Sequence, residues 1–183
     1  VVKNDYFHHE ITKKIAKTTF DVGYSNESGV RELVDNAGDL MGEIELDQER
    51  QSMNVFLREL VQQQPKATYG EAMIRQALEG GAVSTLLISE SLRKNIVDLE
   101  CQSCQHTWSA TLNRNQALPA CPSCKAKDDA IKEVASKSLI DHLSELALAS
   151  RSEVVFISID TEEGAQLMNG FGGLAAVLRY PIM

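Results

Sequence analysis

Apolar residues recur along the chain with two periods, and these periods predict its elements. Phe7, Ile11 and Ile15 stand four residues apart, which makes one stripe on a short helix over residues 5–17. A short extended run at 20–24 breaks at Ser25-Asn26. Val30, Leu33, Val34, Ala37, Leu40 and Met41 then return at helical spacing. A further helix over 47–63 buries Met53, Phe56, Leu57, Leu60 and Val61 and stops before Pro65. Thr68-x-x-Glu71 has the form of a capping box opening the next helix, which Gly80-Gly81 ends. Residues 83–89 read as a strand buried on both faces, because Leu86, Leu87 and Ile88 are continuous rather than alternating with polar residues. Residues 96–99 form another strand. Leu139, Ile140, Leu143, Leu146 and Ala147 mark a helix, and 154–159 a buried strand. Thr161 caps a short helix ending at Gly170. The turn Gly170-Phe171-Gly172-Gly173 then leads into a last strand over 174–180. Strands and helices alternate, so the expected fold class is α/β, a layered α/β sandwich around a mixed sheet. No internal repeat interrupts it.

Composition narrows the function classes. The 183 residues, 43% hydrophobic and 24% charged, suit one medium domain with a core of its own. A net charge of −8 argues against a sequence-independent grip on nucleic acid, which relies on clustered Lys and Arg, so no direct nucleic-acid binding is expected. No apolar run is long enough to span a membrane, and no signal-peptide core opens the chain. A cytoplasmic protein is expected.

The strongest chemical signal is Cys101-x-x-Cys104 followed, after 16 intervening residues, by Cys121-x-x-Cys124. This is the spacing of a zinc ribbon, in which two knuckles offer four thiolates to a tetrahedral ion. Thr107 to Thr111 alternates as a short strand, and Trp108 is placed to cover one side of the metal. Two disulfides are disfavoured in a reducing compartment, and a redox pair would normally open a helix. Gln105 and Lys125 occupy the positions where many knuckles carry Gly. A closed four-thiolate shell leaves no position for water or substrate, so the expected cofactor is structural Zn2+ rather than a catalytic ion. The insert over 98–130 has a net charge of −1, unlike a ribbon that grips nucleic acid.

Other candidates carry less. His8, His9 and Glu10 are adjacent, and adjacent helical side chains point apart. His106 is surplus to a complete shell, and His142 is expected at the surface. The acidic stretch 43–49 reads as a solvated helix approach. Neither double-glycine stretch has a phosphate-loop pattern, and no nucleophile–base pair is visible.

Several segments together resemble the class I peptide chain release factors of archaea and eukaryotes. They are Asp5-Tyr6-Phe7-His8-His9-Glu10 with Lys13-Lys14-Ile15, Asp21-Val22-Gly23-Tyr24, and the run Glu27 to Val34. Tyr69-Gly70, Gly81-Ala82-Val83 with Leu86-Leu87, and above all the ending Gly170 to Tyr180 belong to the same resemblance. The cysteine pairs are similar to the archaeal branch, whose C-terminal domain bears a minidomain insert here.

The resemblance implies a C-terminal domain acting in translation termination at stop codons. Residues 1–18 would end the middle domain, 19–97 and 131–183 form the α/β core, and 98–130 form the zinc-ribbon insert. It implies no enzyme: Gly80-Gly81 is followed by Ala82 and Gly172-Gly173 by Leu174, so the family's Gly-Gly-Gln hydrolysis motif is absent from this chain. The family's stop-codon motif is absent too, since Asn95-Ile96 continues as Val97-Asp98. The implied partners are a translational GTPase of the elongation-factor-1-alpha type, a recycling ABC ATPase, and the ribosome through the full-length factor. Gly170, Phe171, Gly172 and Gly173 would shape part of the docking surface, against the plainer reading that they only turn and pack. The alternatives are a domain of the related ribosome-rescue factor and a zinc-ribbon RNA-binding module.

Overall fold

The computed structural model describes residues 19–182, apart from the side chains of Asp39, Leu40, Glu43 and Asp128. The helix expected over 5–17, with His8, His9 and Glu10, lies outside the described residues. The chain divides into two compact units, Val1–Leu46 and Asp47–Met183.

In the first unit, residues 21–28 are exposed and form no strand, contrary to the extended run expected at 20–24. Asn26 caps the helix that follows: its Oδ1 accepts the N–H groups of Ser28 (3.0 Å) and Gly29 (3.3 Å). That helix, α1, runs over Glu27–Leu60, so the two helices expected on either side of the acidic stretch are one. Solvated Glu side chains are good helix formers, and isolated glycines such as Gly38 and Gly42 weaken a helix without ending it.

The second unit is built on a four-stranded mixed sheet. Its strands are β1 (Ala67–Tyr69), β2 (Val83–Ser89), β6 (Glu153–Ile157) and β7 (Leu174–Leu178), in the order β1-β7-β2-β6. Only β2 and β6 run parallel. One face carries α2 (Glu71–Glu79) and α3 (Leu139–Ala149). Ile74, Ala77, Leu78, Leu139, Leu143 and Ala147 pack there on Leu86, Ile88, Ala176 and Leu178. The other face carries the C-terminal part of α1 and α4 (Glu162–Phe171), where Met53, Phe56 and Leu167 pack on Leu87, Val155, Ile157 and Ala175. Both faces of β2 are covered, which is why its apolar run is continuous. The layered α/β sandwich expected around a mixed sheet is present, with three layers.

A second, three-stranded antiparallel sheet, β4-β3-β5, comprises β3 (Lys94–Cys101), β4 (Thr107–Asn113) and β5 (Ile131–Ser138). A bulge in the β3–β5 pairing falls between Asp98 and Leu99. This sheet is tied to the helical layer by polar links. Thr111 Oγ1 donates to Glu71, which also pairs with Arg75 at 2.8 Å, and Lys137 pairs with Glu145. The expected capping box is therefore not formed. Thr68 is buried in β1 opposite Ala176, Gly70 occupies the cap position, and Glu71 faces Thr111 instead. Sheet pairing competes for Thr68 and wins. The cap at Thr161 does form, its Oγ1 accepting the Gly164 N–H at 3.0 Å.

Candidate metal centre

β3 ends at Cys101, and the chain turns back at once into β4. The turn is held by Gln105 N donating to Cys101 O (2.8 Å) and Cys101 N donating to His106 O (2.9 Å). The second cysteine pair repeats this pattern atom for atom: Lys125 N donates to Cys121 O (3.0 Å) and Cys121 N to Ala126 O (2.9 Å). Gln105 and Lys125 take φ of 58° and 64°. The knuckle turn thus imposes the left-handed conformation even where glycine is lacking.

The two knuckles face one another. Cys101 Sγ lies 3.5 Å from Cys124 Sγ, Cys104 Sγ lies 3.6 Å from Cys121 Sγ, and all four sulfurs fall within 4.8 Å. A tetrahedral ion with metal–sulfur bonds of about 2.3 Å separates its ligand atoms by about 3.8 Å. The four cysteines therefore sit at the right spacing to hold a metal ion. Cys101 and Cys121 are buried, while Cys104 and Cys124 are exposed.

Electrostatics point the same way. Burial pushes the Cys101 thiol up, but the backbone N–H groups of Cys104 and Ser103 and the neighbouring thiols hold it down to about 6. Cys121 is lowered likewise: burial opposes, and the N–H groups of Cys124 and Ser123 prevail. At Cys124 the Ala126 N–H pulls down, but Cys104, Cys101 and burial push the thiol up to about 12. A cluster this tight cannot ionise fully by itself, because each thiolate raises the cost of the next. A bound cation removes that conflict.

The surrounding core is thin. Val97, Leu99, Leu112 and Ile131 join the two buried cysteines, with Trp108, Ala110, Leu118 and Ala126 at the margin. Trp108 stacks on His106 at 5.8 Å, so His106 covers an aromatic face and is not drawn into the sulfur cluster. His142 is half-buried on α3 rather than at the surface.

The glycine turn lies at the end of the other sheet. Gly170 is exposed in the last turn of α4, and Phe171 ends that helix half-buried. Its ring meets Phe56 edge-on at 4.9 Å and Tyr69 at 5.3 Å. Gly172 (φ 70°) and Gly173 (φ 83°) close the helix, donating to Met168 O (3.2 Å) and Leu167 O (3.0 Å). Gly173 O in turn accepts from Ser89 N at 2.9 Å, which anchors the turn to the end of β2. The positive φ at Gly172 and Gly173 favours glycine, and a β-carbon at Gly173 would in addition press on Met168 Sδ at 3.0 Å.

Residues 46–182 match the family model described as eRF1 domain 3. Over 190 aligned residues the chain is 40% identical to peptide chain release factor subunit 1 of Methanocaldococcus jannaschii, covering 99% of this chain and 44% of that protein. The chain belongs to the peptide chain release factor subunit 1 family. It spans 44% of that relative's length, and its structural match is to a C-terminal domain of an archaeal factor. A solved C-terminal domain of the peptide chain release factor from Methanosarcina mazei superposes with a TM-score of 0.70 at 38% identity, covering 86% of this chain and 98% of that one. The fold alone extends further. A model of ribosome-bound archaeal Pelota and ABCE1 matches with a TM-score of 0.53 at 19% identity, covering 91% of this chain and 36% of that one.

Proposed function

We propose that this release-factor domain acts in translation termination at stop codons as the partner-docking, non-catalytic end of the full-length factor. The observation that carries the reading is the superposition on an isolated release-factor C-terminal domain, of which it covers 98%. Peptidyl-tRNA hydrolysis belongs elsewhere in the factor, since no Gly-Gly-Gln occurs in these 183 residues. In this reading the α/β core over 19–97 and 131–183 docks a translational GTPase of the elongation-factor-1-alpha type, with Gly170, Phe171, Gly172 and Gly173 at the contact. A recycling ABC ATPase follows at the same domain. A ribosome-bound complex containing a protein of this fold and ABCE1 supports the ribosome and an ABC ATPase as partners. Among the described residues no helix is long and apolar enough to cross a membrane, and the proposed site of action is the cytoplasm.

The ion is inferred to be zinc, held by Cys101, Cys104, Cys121 and Cys124 as a structural staple of the insert over 98–130. Four thiolates at tetrahedral spacing suit zinc and leave no open position for chemistry. The ribosome-rescue factor remains the second reading because Pelota shares the fold. The subunit 1 relatives favour termination.

Purified GTP-loaded GTPase, titrated into the labelled chain and followed by anisotropy, tests the docking role. Saturable binding is expected. Absence of binding to both the GTPase and the ABC ATPase would overturn it. Elemental analysis of reduced, freshly purified protein is expected to give about one zinc per chain, and much less would contradict the staple.

A further inference from the structure

In a chain carrying 18 Lys and Arg against 26 Asp and Glu, one concavity has the opposite balance. A pocket of about 280 Å³ is lined by Leu92, Arg93, Lys94, Asn95, Arg114, Ser138 and Ile140. Three of these residues are cations and none is an acid. The pocket lies at the start of β3, at the opposite end of that strand from Cys101. Topology assembles it: Lys94 pairs with Asn113 across the β3–β4 ladder, and Arg114 N donates to Arg93 O at 3.1 Å. Both arginines are thereby fixed at the open end of one hairpin.

The charges are uncommitted. Arg93 Nη1 donates to the carbonyls of Glu90 (2.6 Å) and Leu92 (3.3 Å), which holds its fork in place without neutralising it. Among the described residues, Arg93, Lys94 and Arg114 form no ion pair, although five other ion pairs occur. The nearest acids in sequence, Glu90 and Asp141, do not line the pocket. Asn95 and Ser138 add neutral polar groups beside an apolar floor of Leu92 and Ile140.

We propose that this pocket is a phosphate-contact site, and that its occupant is the phosphodiester backbone of a single-stranded or looped RNA segment. Two arginines and a lysine lining one small concavity offer the charge and the donor groups that a phosphate needs. The pocket has room for one or two phosphates. RNA is preferred to an acidic peptide because the proposed function brings this domain to the ribosome, and the inference rests on that reading. The overall charge of −8 forbids a general grip on RNA. It does not forbid a local contact made once the domain is delivered.

The probe is a fluorescein-labelled mixed-sequence RNA 12-mer, titrated into the whole chain at a series of salt concentrations. Three phosphate contacts predict a slope of log K against log salt of about −2 for a single strand. The variant Lys94→Gln/Arg114→Gln, whose altered side chains hold no structural bond, should bind roughly tenfold more weakly and lose about 1.4 from that slope. Lys66→Gln, remote from the pocket, should stay within about twofold of the wild type on the same scale. Three results would overturn the inference: an unchanged double variant, an equal loss in Lys66→Gln, or equal affinity for an oligoglutamate of matched charge. GTPase binding by the same proteins separates the two readings. If the GTPase binds while the pocket substitutions leave RNA affinity unaltered, only this inference falls; if wild-type chain binds no GTPase and no ABC ATPase, the docking role falls whatever the RNA result.

Discussion

Replacing Phe171 with Ala separates packing from docking, because the structure gives the ring a packing role of calculable size. The side chain is half-buried, so its transfer from water contributes about 1 kcal/mol, half the value for a fully buried aromatic. Its edge-on contacts with Phe56 at 4.9 Å and Tyr69 at 5.3 Å add about 1 kcal/mol each. The expected loss is about 3 kcal/mol, at the lower end of the range for a fully buried Phe. For a unit of this size that is a fall in Tm of about 10 °C. Phe171→Leu keeps much of the apolar volume and loses the ring edges, so about 1 kcal/mol is expected. Urea unfolding followed by circular dichroism measures both variants, with an unchanged m value confirming that the native state is compared with a like unfolded state. A loss below 1 kcal/mol for the Ala variant would refute the packing argument. The folded variants are then titrated with the GTPase. An affinity unchanged from wild type would refute the proposed contact at Phe171, whereas a fall in both variants that exceeds their loss of stability would support it.

Cys104→Ser removes an exposed ligand with little disturbance of the thin core, and should leave well under one metal per chain by elemental analysis. Hydrogen exchange is expected to accelerate over 101–130 while the mixed sheet stays protected; uniform acceleration would show that the insert is not a separate staple. Arg179 donates to Gly81 O (2.8 Å), Ser150 O (3.1 Å) and Arg151 O (2.9 Å), joining the chain ends of two helices to β7. Arg179→Met should therefore cost about 2 kcal/mol in urea unfolding, discounted from three charge-assisted bonds for exposure. Glu145 is held below the usual carboxylate range by the hydrogen bond from Lys137 and then by its charge. A depressed carboxyl stabilises above its unfolded pKa and loses that contribution as pH falls through the folded value. The stability difference between wild type and Glu145→Gln should be present at neutral pH and vanish in acid, and a pH-independent difference would contradict the pairing.

The elements legible in the sequence are those whose burial is two-sided or whose caps are local. β2 was readable because Leu86 and Ile88 face α2 and α3 while Leu87 faces α1 and α4, so no polar residue interrupts the run. α3 is legible from its stripe and α4 from the Thr161 cap. β5 left no such trace: Lys132, Glu133, Val134, Ala135, Ser136 and Lys137 are all exposed, and its strand state comes from pairing with β3. β1 has three residues, too few for a period, and its pairing with β7 took Thr68 away from the cap it could have formed. Two helices are expected where one runs because the apolar stripe read from the sequence stops at Met41 and resumes at Met53; the acidic stretch between them signals solvation, not a helix end.

The same distinction separates the two candidate sites. The four cysteines announce themselves because each knuckle is a local turn, and the spacing within a pair survives in the sequence. Even the left-handed Gln105 and Lys125 obey the knuckle rather than their own preference. Arg93, Lys94, Arg114 and Ser138 meet only because β3, β4 and β5 are neighbours in a sheet, so no window of sequence contains them together. Net charge averages over them as well. Beyond about 10 Å at 0.1 M salt the total of −8 is largely screened, so it gives an approaching RNA no long-range attraction toward the domain. The pocket acts inside that distance. Contact with phosphate should therefore add little to the rate of association and act mainly on dissociation once another surface has brought the domain into place.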